Sequence, residues 1–191
     1  MAKGRDMNVL GINGSPRVGG NTDILLEEAL KGASREGART EKIVLNNLNF
    51  SPCQECENAR DDGTCIIEDD LQPIYQKINE VDVIILASPI FFGSLSAQMK
   101  MMIDRFQCLW RAKYLVKKNV GKKRKGGFIS VEASTRKNFF DNAKSIVKNF
   151  FAVIDVDYQE ELLCSGVSEK GDILKHPNFL KRAFELGRGL S

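Results

Sequence analysis

Short apolar runs alternate along the chain with longer stretches in which apolar residues recur every three or four positions. The first pattern predicts buried strands and the second predicts amphipathic helices. The predicted strands cover residues 9–12, 41–45, 81–87, 126–131 and 153–163. The predicted helices run through residues 24–30 and then over 69–79, 97–110, 138–151 and 177–186. Strands and helices therefore alternate in the predicted order.

This alternation indicates an α/β fold. Strands joined by helices of this length are connected by right-handed crossovers, so they form a parallel sheet with helices on both faces. Five strands suit a doubly wound sheet, in which a ligand lies outside the carboxyl ends of the strands where the strand order reverses. The loops after strands one, three and four are therefore expected to carry the functional residues.

Length and composition predict a single domain. The 191 residues are 42% hydrophobic and 28% charged, which is the balance of one globular domain with a proper core. We expect this domain to span residues 1–191, with an insert at about 50–68 that carries cysteines. The longest apolar stretches, 83–87 and 150–154, are far shorter than the roughly 20 residues of a membrane span. Residues 1–6 do not resemble the start of a signal peptide, so a cytoplasmic location is expected.

The charge distribution allows two interpretations of residues 111–125. The net charge of +3 is too small to indicate a nucleic-acid-binding protein, although residues 111–125 include eight basic residues and no acidic one. This run either forms a docking surface for an acidic partner or is a solvated loop, and the second reading is favoured. The residues concerned are Lys117, Lys118, Lys122, Lys123, Arg124 and Lys125. A nucleic-acid-binding role is favoured even less than a docking surface, because no recognisable nucleic-acid-binding module accompanies the basic run.

The loop after the first strand has the composition of an anion site. Residues 14–22 join a buried strand to a helix, and such a junction directs backbone N–H groups and the positive helix end at a ligand. Ser15, Asn21 and Thr22 add side-chain donors, and Arg17 adds a permanent charge. The sequence patterns of nucleoside triphosphate loops and of dinucleotide-binding loops are absent. The alternative is that Asn21 or Thr22 caps the helix and the glycines form a turn.

The loop after the third strand places aromatic residues where a strand-to-helix connection is usually polar. Pro89 stiffens this turn, and Phe91 and Phe92 follow it. A flat ring system resting on the loop would stack on these side chains. The alternative is that both phenylalanines pack into the core or into a subunit interface.

Together these motifs resemble the NAD(P)H-dependent FMN reductase family. The residues that carry the resemblance are Gly14-Ser15-Pro16-Arg17, Gly20-Asn21-Thr22, Ser88-Pro89-Ile90-Phe91-Phe92-Gly93, Lys100 and Ile103-Asp104-Arg105. The resemblance implies a flavodoxin-like three-layer α/β/α sandwich with a five-stranded parallel sheet in the order 2-1-3-4-5. It also implies a bound FMN. Its phosphate would lie at Ser15, Arg17, Asn21 and Thr22, and its ring on Pro89, Ile90, Phe91, Phe92 and Gly93, with the pyrimidine edge facing Glu132 and Ser134. Relatives often carry glycines at these last positions.

The function implied by the resemblance is electron transfer through FMN from NADH or NADPH to an acceptor. The acceptor is a quinone, a flavin, an aromatic compound or a redox protein, and no catalytic nucleophile is expected because the chemistry belongs to the cofactor. The alternative is a non-enzymatic electron carrier that docks a protein partner. The family also implies a homodimer or homotetramer, for which the expected interface residues are Phe91, Phe92, Met101, Met102 and Trp110. Lys100, Asp104 and Arg105 are interpreted as a supporting helix face.

The insert resembles the iron–sulfur flavoprotein branch of this family. A four-iron cluster takes four thiolates, and that branch carries three closely spaced cysteines followed by a fourth. Here Cys53 and Cys56 have the expected spacing, but Ala59 occupies the third position and Cys65 follows. A cluster or a zinc site on Cys53, Cys56 and Cys65 is therefore disfavoured. The favoured reading is a structural or dimer-forming insert with free thiols, in which Cys53 and Cys56 could act as a redox pair.

Overall fold

Six strands form the sheet of the computed structural model, which describes residues 7–56, 60–118, 122–136 and 138–191. They are β1 (Asn8–Asn13), β2 (Arg39–Val44), β3 (Val83–Phe91), β4 (Ser94–Leu95), β5 (Arg124–Val131) and β6 (Val156–Cys164). Five of them are parallel in the order β2-β1-β3-β5-β6, and β4 pairs antiparallel with β3. The predicted parallel sheet is confirmed, and its order differs from 2-1-3-4-5 only through the additional strand β4. The predicted count of five is wrong, because two-residue β4 is too short to produce a periodic pattern.

Helices connect the strands in the expected places. They are α1 (Asn21–Arg35), α2 (Gln72–Glu80), α3 (Ala97–Arg105), α4 (Gln107–Trp110), α5 (Asp141–Val153) and α6 (Pro177–Leu190). The helix predicted over 97–110 is interrupted at Phe106, and a π-helical segment, Arg111–Leu115, follows α4. Within the described ranges, no helix combines the length and apolar composition that crossing a bilayer requires.

Two predicted strands have clearly different bounds in the structure. β3 ends at Phe91, four residues after its predicted end, so Pro89 and Ile90 belong to the strand and not to the loop after it.

The other difference concerns the last strand. The predicted strand 153–163 includes the apolar residues Val153 and Ile154, but α5 continues to Val153 and β6 begins at Val156. The chain reverses between them at Asp155, which adopts a left-handed φ of 56°. Ile154 is buried, so its apolar side chain packs in the core from the end of a helix and not from a strand. Apolar character alone does not distinguish these two placements.

The core consists of two apolar layers, one on each face of the sheet. Alternate residues of β1 supply opposite layers, with Leu10 and Ile12 packing towards α2, α3 and α5, and Val9 towards α1 and α6. β3 alternates in the same way, which gives it an almost uninterrupted run of buried residues. The sheet is therefore covered on both faces, as the resemblance implied.

Two glycines bring α1 and α6 into backbone contact. A Cβ at Gly32 would lie 2.0 Å from the carbonyl oxygen of Phe184, and one at Gly187 would lie 1.7 Å from that of Ala29. No side chain larger than hydrogen fits at either position without moving a backbone. We call this contact the glycine seam.

Neither reading of the basic run describes it fully. Arg124 is only 4% exposed and donates to the carbonyl oxygen of Ile154, so it is neither a docking residue nor part of a solvated loop. Lys122 pairs with Asp82 at 2.7 Å, and Lys125 donates to the carbonyl oxygen of Leu190. Residues 119–121 of the run lie outside the described part of the chain. Much of the positive charge is therefore used to join neighbouring elements.

Candidate functional site

A cavity of about 230 Å³ lies outside the carboxyl ends of β1, β3 and β5. We call it the strand-end cavity. It is lined by Ser15, Arg17, Gly20, Asn21, Thr22, Pro89, Ile90, Phe91, Val131, Glu132, Ala133, Val167, Ser168 and Lys170. The fold thus brings together eight of the eleven predicted binding residues. Phe92, Gly93 and Ser134 are the predicted residues that do not line the cavity.

The loop between β1 and α1 presents an uncapped helix end to this cavity. Gly20 occupies the N-cap position of α1 and supplies no side-chain bond. The first N–H groups of a helix have no partner within the helix, so those of α1 remain open to a ligand. A hydrogen bond of 2.6 Å from Ser96 Oγ to the carbonyl oxygen of Gly14 holds this loop against the start of α3. The helix end is therefore fixed in position and suited to an anion.

The predicted anion-binding side chains differ in their environments. Ser15 and Thr22 are buried in the wall, and Arg17 is exposed at the rim. The side chain of Asn21 is used differently from the expectation. Its amide nitrogen donates to the carbonyl oxygen of Glu169 at 2.8 Å, and its amide oxygen accepts from the backbone N–H of Ile173 at 3.2 Å. Asn21 therefore ties the chain after β6 to α1.

That tie brings in residues that the sequence analysis missed. Val167, Ser168 and Lys170 follow β6 and complete one wall of the cavity. Lys170 approaches Gly19 closely enough that a Cβ there would lie 3.9 Å from its Cε. The loop after β6, an edge strand, was not expected to reach the cavity. The only sequence signal that the chain folds back towards the cavity is the pair of turn residues Gly166 and Gly171. Lys170 adds a second cation beside the helix end.

The β3–β4 hairpin forms the aromatic side of the site. Pro89, Ile90 and Phe91 line the cavity. Phe92 stands at the hairpin tip, fully exposed and with a left-handed φ of 52°, and Gly93 follows with a φ of 74°. A left-handed φ is unusual for a phenylalanine and costs energy. The hairpin nevertheless adopts it at Phe92, and the side chain lies at the exposed tip instead of in the core.

Glu132 is an unpaired acid in the wall of the cavity. It follows β5 and is only 3% exposed. Neither of its carboxyl oxygens has a hydrogen-bond partner among the described residues. Burial raises the pKa of this carboxyl above its ordinary value, because a charge without a partner is disfavoured away from water. Ser134 instead accepts a bond at Oγ from the backbone N–H of Arg136.

A larger cavity, of about 610 Å³, lies beside the cysteine loop (residues 50–68). Four thiols line it, from Cys53, Cys56, Cys65 and Cys108. Arg105 anchors the loop from α3, and it is fully buried instead of lying on the predicted supporting surface. Its guanidinium donates to Asp69, to the carbonyl oxygen of Ser51 at 2.9 Å and to the sulfur of Cys65 at 3.3 Å. The neighbouring Lys100–Asp104 pair does lie on the helix surface, at 2.8 Å.

The thiols do not form a ready metal site. Among the described residues, no three Cys, His, Asp or Glu side chains converge closely enough to hold a metal ion. Burial raises the pKa of the Cys108 thiol to about 11, and this favours the protonated form over the thiolate that a metal requires. In this arrangement the donor set of the described residues does not fit a four-thiolate cluster.

The chain matches known proteins over most of its length. The model of the family described as NADPH-dependent FMN reductase matches residues 7–156. An iron–sulfur flavoprotein of Methanocaldococcus jannaschii is 40% identical over 147 residues, which cover 77% of this chain and 72% of that relative. An iron–sulfur flavoprotein of Methanosarcina thermophila is 37% identical over 115 residues, or 60% of each chain.

Solved structures agree with the fold. A structure described as an NAD(P)H:quinone oxidoreductase of Methanothermobacter marburgensis superposes with a TM-score of 0.74. The superposition covers 98% of this chain and 97% of that one at 20% identity. At this identity the likeness establishes the flavodoxin-like fold. Residues 167–170, which close the strand-end cavity, lie beyond the segment that the family model matches.

Proposed function

Because the chain belongs to the NADPH-dependent FMN reductase family, we propose that it is an oxidoreductase that binds FMN in the strand-end cavity and accepts electrons from NADH or NADPH. The observation that carries the proposal is the convergence of an uncapped helix end, two cations, an aromatic hairpin and an unpaired acid on one cavity. FMN has a counterpart for each of these. It carries a phosphate dianion, a flat apolar ring system and a polar ring edge.

The phosphate would be held at the helix end. The open N–H groups of α1 and the charge of Arg17 attract an anion, and the buried hydroxyls of Ser15 and Thr22 supply further donors. Lys170 adds charge from the opposite wall. The side chain of Asn21 supports this arrangement by holding the chain that carries Lys170.

The ring system would rest against the hairpin. Phe91 is 45% exposed and Pro89 lines the same wall, so both offer apolar surface to a flat ligand. When bound, FMN would supply the hydride acceptor and pass the electrons onward. This chain's own residues bind and orient the ring, and no nucleophile or proton-transfer residue is assigned.

We also propose that the protein is a homo-oligomer in which the hairpin tip contacts a second copy. Phe92 is fully exposed, and Phe91 and Trp110 are 45% and 40% exposed. Exposed aromatic side chains on a structured tip are typical of contact surfaces. Met102, predicted for this interface, is instead completely buried in the core.

The experiment begins with flavin binding. The purified protein is titrated with FMN and with riboflavin while the flavin fluorescence is recorded, and NADH or NADPH is then added without oxygen. We expect one FMN per chain and bleaching of the flavin bands by a nicotinamide. Arg17→Gln should weaken FMN binding by roughly tenfold but leave riboflavin binding unchanged, since riboflavin lacks the phosphate. Arg35→Gln, in the last turn of α1, is the matched control.

Two results would contradict the proposal in different ways. Stoichiometric FMN that neither nicotinamide bleaches would indicate an electron carrier instead of a reductase. Absence of FMN binding at micromolar concentrations would remove the FMN assignment itself.

A further inference from the structure

Asp23 is a buried carboxylate in the first turn of α1, and the residue is only 2% exposed. Its Oδ2 accepts a hydrogen bond of 2.8 Å from the backbone N–H of Gly19. Its Oδ1 pairs with Nζ of Lys42, on β2, at 2.9 Å. Residues 20–22 line the strand-end cavity, whereas Asp23 is outside the described lining. Asp23 can therefore act on a ligand in the cavity only through the loop that it holds.

The bond to Gly19 fixes the turn that leads into α1. Gly19 has a left-handed φ of 66°, which costs a glycine nothing. The turn is closed by a bond of 3.0 Å from the N–H of Gly20 to the carbonyl oxygen of Arg17. At its other end, the N–H of Arg17 donates to Ser15 Oγ at 3.2 Å. The Asp23 carboxylate thus helps to fix the backbone from which the Arg17 side chain projects beside the helix end.

The charge of Asp23, by contrast, opposes an anion at this place. A carboxylate in the first turn draws on the same positive helix end that attracts a phosphate. Lys42 balances this charge in a sheltered contact, since the side chains of Lys42 and Asp23 are 25% and 3% exposed. Lys42 also pairs at 2.6 Å with Glu27, whose side chain is 50% exposed and therefore screened by water. The sheltered pair leaves little net charge behind the helix end.

We propose that Asp23 is a positioning residue that shapes the β1–α1 loop for the flavin phosphate, and that Lys42 neutralises its charge there. This inference rests on the proposed FMN site and adds two residues that do not line the cavity. No bond is made or broken and no proton moves. The inference predicts an unusual sign, because removing an acid from beside an anion site should weaken anion binding.

Two substitutions separate the positioning effect of the carboxylate from its charge. Asp23→Ala and Asp23→Asn both remove the charge, but only asparagine retains an oxygen that can accept from the N–H of Gly19. We expect Asp23→Ala to bind FMN roughly tenfold more weakly than wild type, and Asp23→Asn to bind it at least as tightly as wild type. Riboflavin lacks the phosphate, so its dissociation constant should change far less in Asp23→Ala. An effect of charge alone would make both variants bind FMN more tightly.

Lys42→Met tests the neutralising partner. It should weaken FMN binding several-fold and leave riboflavin binding unchanged, because the charge of Asp23 is then unbalanced beside the phosphate. Adding Asp23→Asn to Lys42→Met should restore most of the lost affinity. Lys31→Met is the matched control, since it removes the same charge from α1, where Lys31 pairs with Glu28 and is 64% exposed. A loss in Lys42→Met no larger than that in Lys31→Met would overturn the role of Lys42.

Hydrogen exchange of the flavin-free protein, followed by mass spectrometry, gives a readout that does not depend on FMN. The amides of residues 14–20 should exchange faster in Asp23→Ala than in wild type or Asp23→Asn. The inference is overturned if Asp23→Ala binds FMN as tightly as wild type, or if it weakens both flavins equally. If circular dichroism shows Asp23→Ala to be unfolded, Asp23→Asn and the comparison of Lys42→Met with Lys31→Met decide. A wild-type protein that binds no FMN would instead refute the proposed function.

Discussion

The guanidinium of Arg105 and the carboxylate of Asp69 meet at two points, with Nη1 2.5 Å from Oδ2 and Nη2 3.3 Å from Oδ1. This pair joins α3 to the residue that directly follows the cysteine loop. The Arg105 side chain is fully buried and that of Asp69 is 13% exposed. Removing one member would leave the other charge buried and unpaired.

Arg105→Met should therefore destabilise the protein by about 3–5 kcal/mol, as measured by urea unfolding. Lys100→Met is the matched control on the same helix. Its pair with Asp104 has side chains 44% and 40% exposed and should contribute less than about 1 kcal/mol. Equal losses in the two variants would show that the loop is not anchored through Arg105.

Lys170→Gln should weaken FMN binding several-fold and leave riboflavin binding unchanged, because the cation lies beside the proposed phosphate site. Fluorescence titration with the two flavins measures the difference. Lys175→Gln is the control, since that side chain is 78% exposed and pairs with Asp172. A similar loss for both flavins would place Lys170 away from the phosphate.

Glu132 should make the flavin-free protein less stable as the pH rises. Its pKa is raised in the folded chain, so its stabilising contribution is complete below the ordinary glutamate pKa and is lost as the pH rises through the folded value. Urea midpoints of wild type and Glu132→Gln, measured without flavin across this range, should diverge in favour of the variant at higher pH. Parallel curves would mean that the folded environment does not disfavour the carboxylate.

The thiols should differ in their rates of alkylation. Burial raises the pKa of Cys108 to about 11 and that of Cys164 to about 12, so both should react last with iodoacetamide near pH 8. Cys53 and Cys56 are half-exposed and should react first. Mass spectrometry of timed samples gives the order. Protection of Cys53, Cys56 and Cys65 that a chelator removes would reveal a bound metal and overturn the free-thiol reading.

Phe92→Ser should weaken self-association, because it removes the apolar tip from the proposed contact. Light scattering after gel filtration, over a range of concentrations, measures the molar mass. Leu174→Ser is the control, since it removes another exposed apolar side chain, 61% exposed, from a different place. An unchanged mass for Phe92→Ser would exclude the hairpin tip from the interface.

Periodicity predicted the elements that bury a continuous apolar face, and it failed where one residue decides the structure. The strands β3 and β5 could be predicted from the sequence because each contains a long run of buried apolar residues. The sequence places Arg105 on the helix surface, because it adjoins the surface pair of Lys100 and Asp104. Its actual partner is the carboxylate of Asp69, 36 positions earlier, and local sequence does not indicate a partner at that distance. Lys170 was missed because its place depends on a long-range bond from Asn21, which local pattern does not encode.

The glycine seam determines how the cavity can accommodate a ligand. Because α1 and α6 touch backbone to backbone, and Asn21 ties the chain between β6 and α6 to α1, the walls carrying Arg17 and Lys170 behave as one piece. A ligand in the strand-end cavity therefore meets this wall as a single surface built from two segments of the chain. In the proposed complex the FMN phosphate would lie against that wall, and the ring would lie against the β3–β4 hairpin on the other side of the cavity.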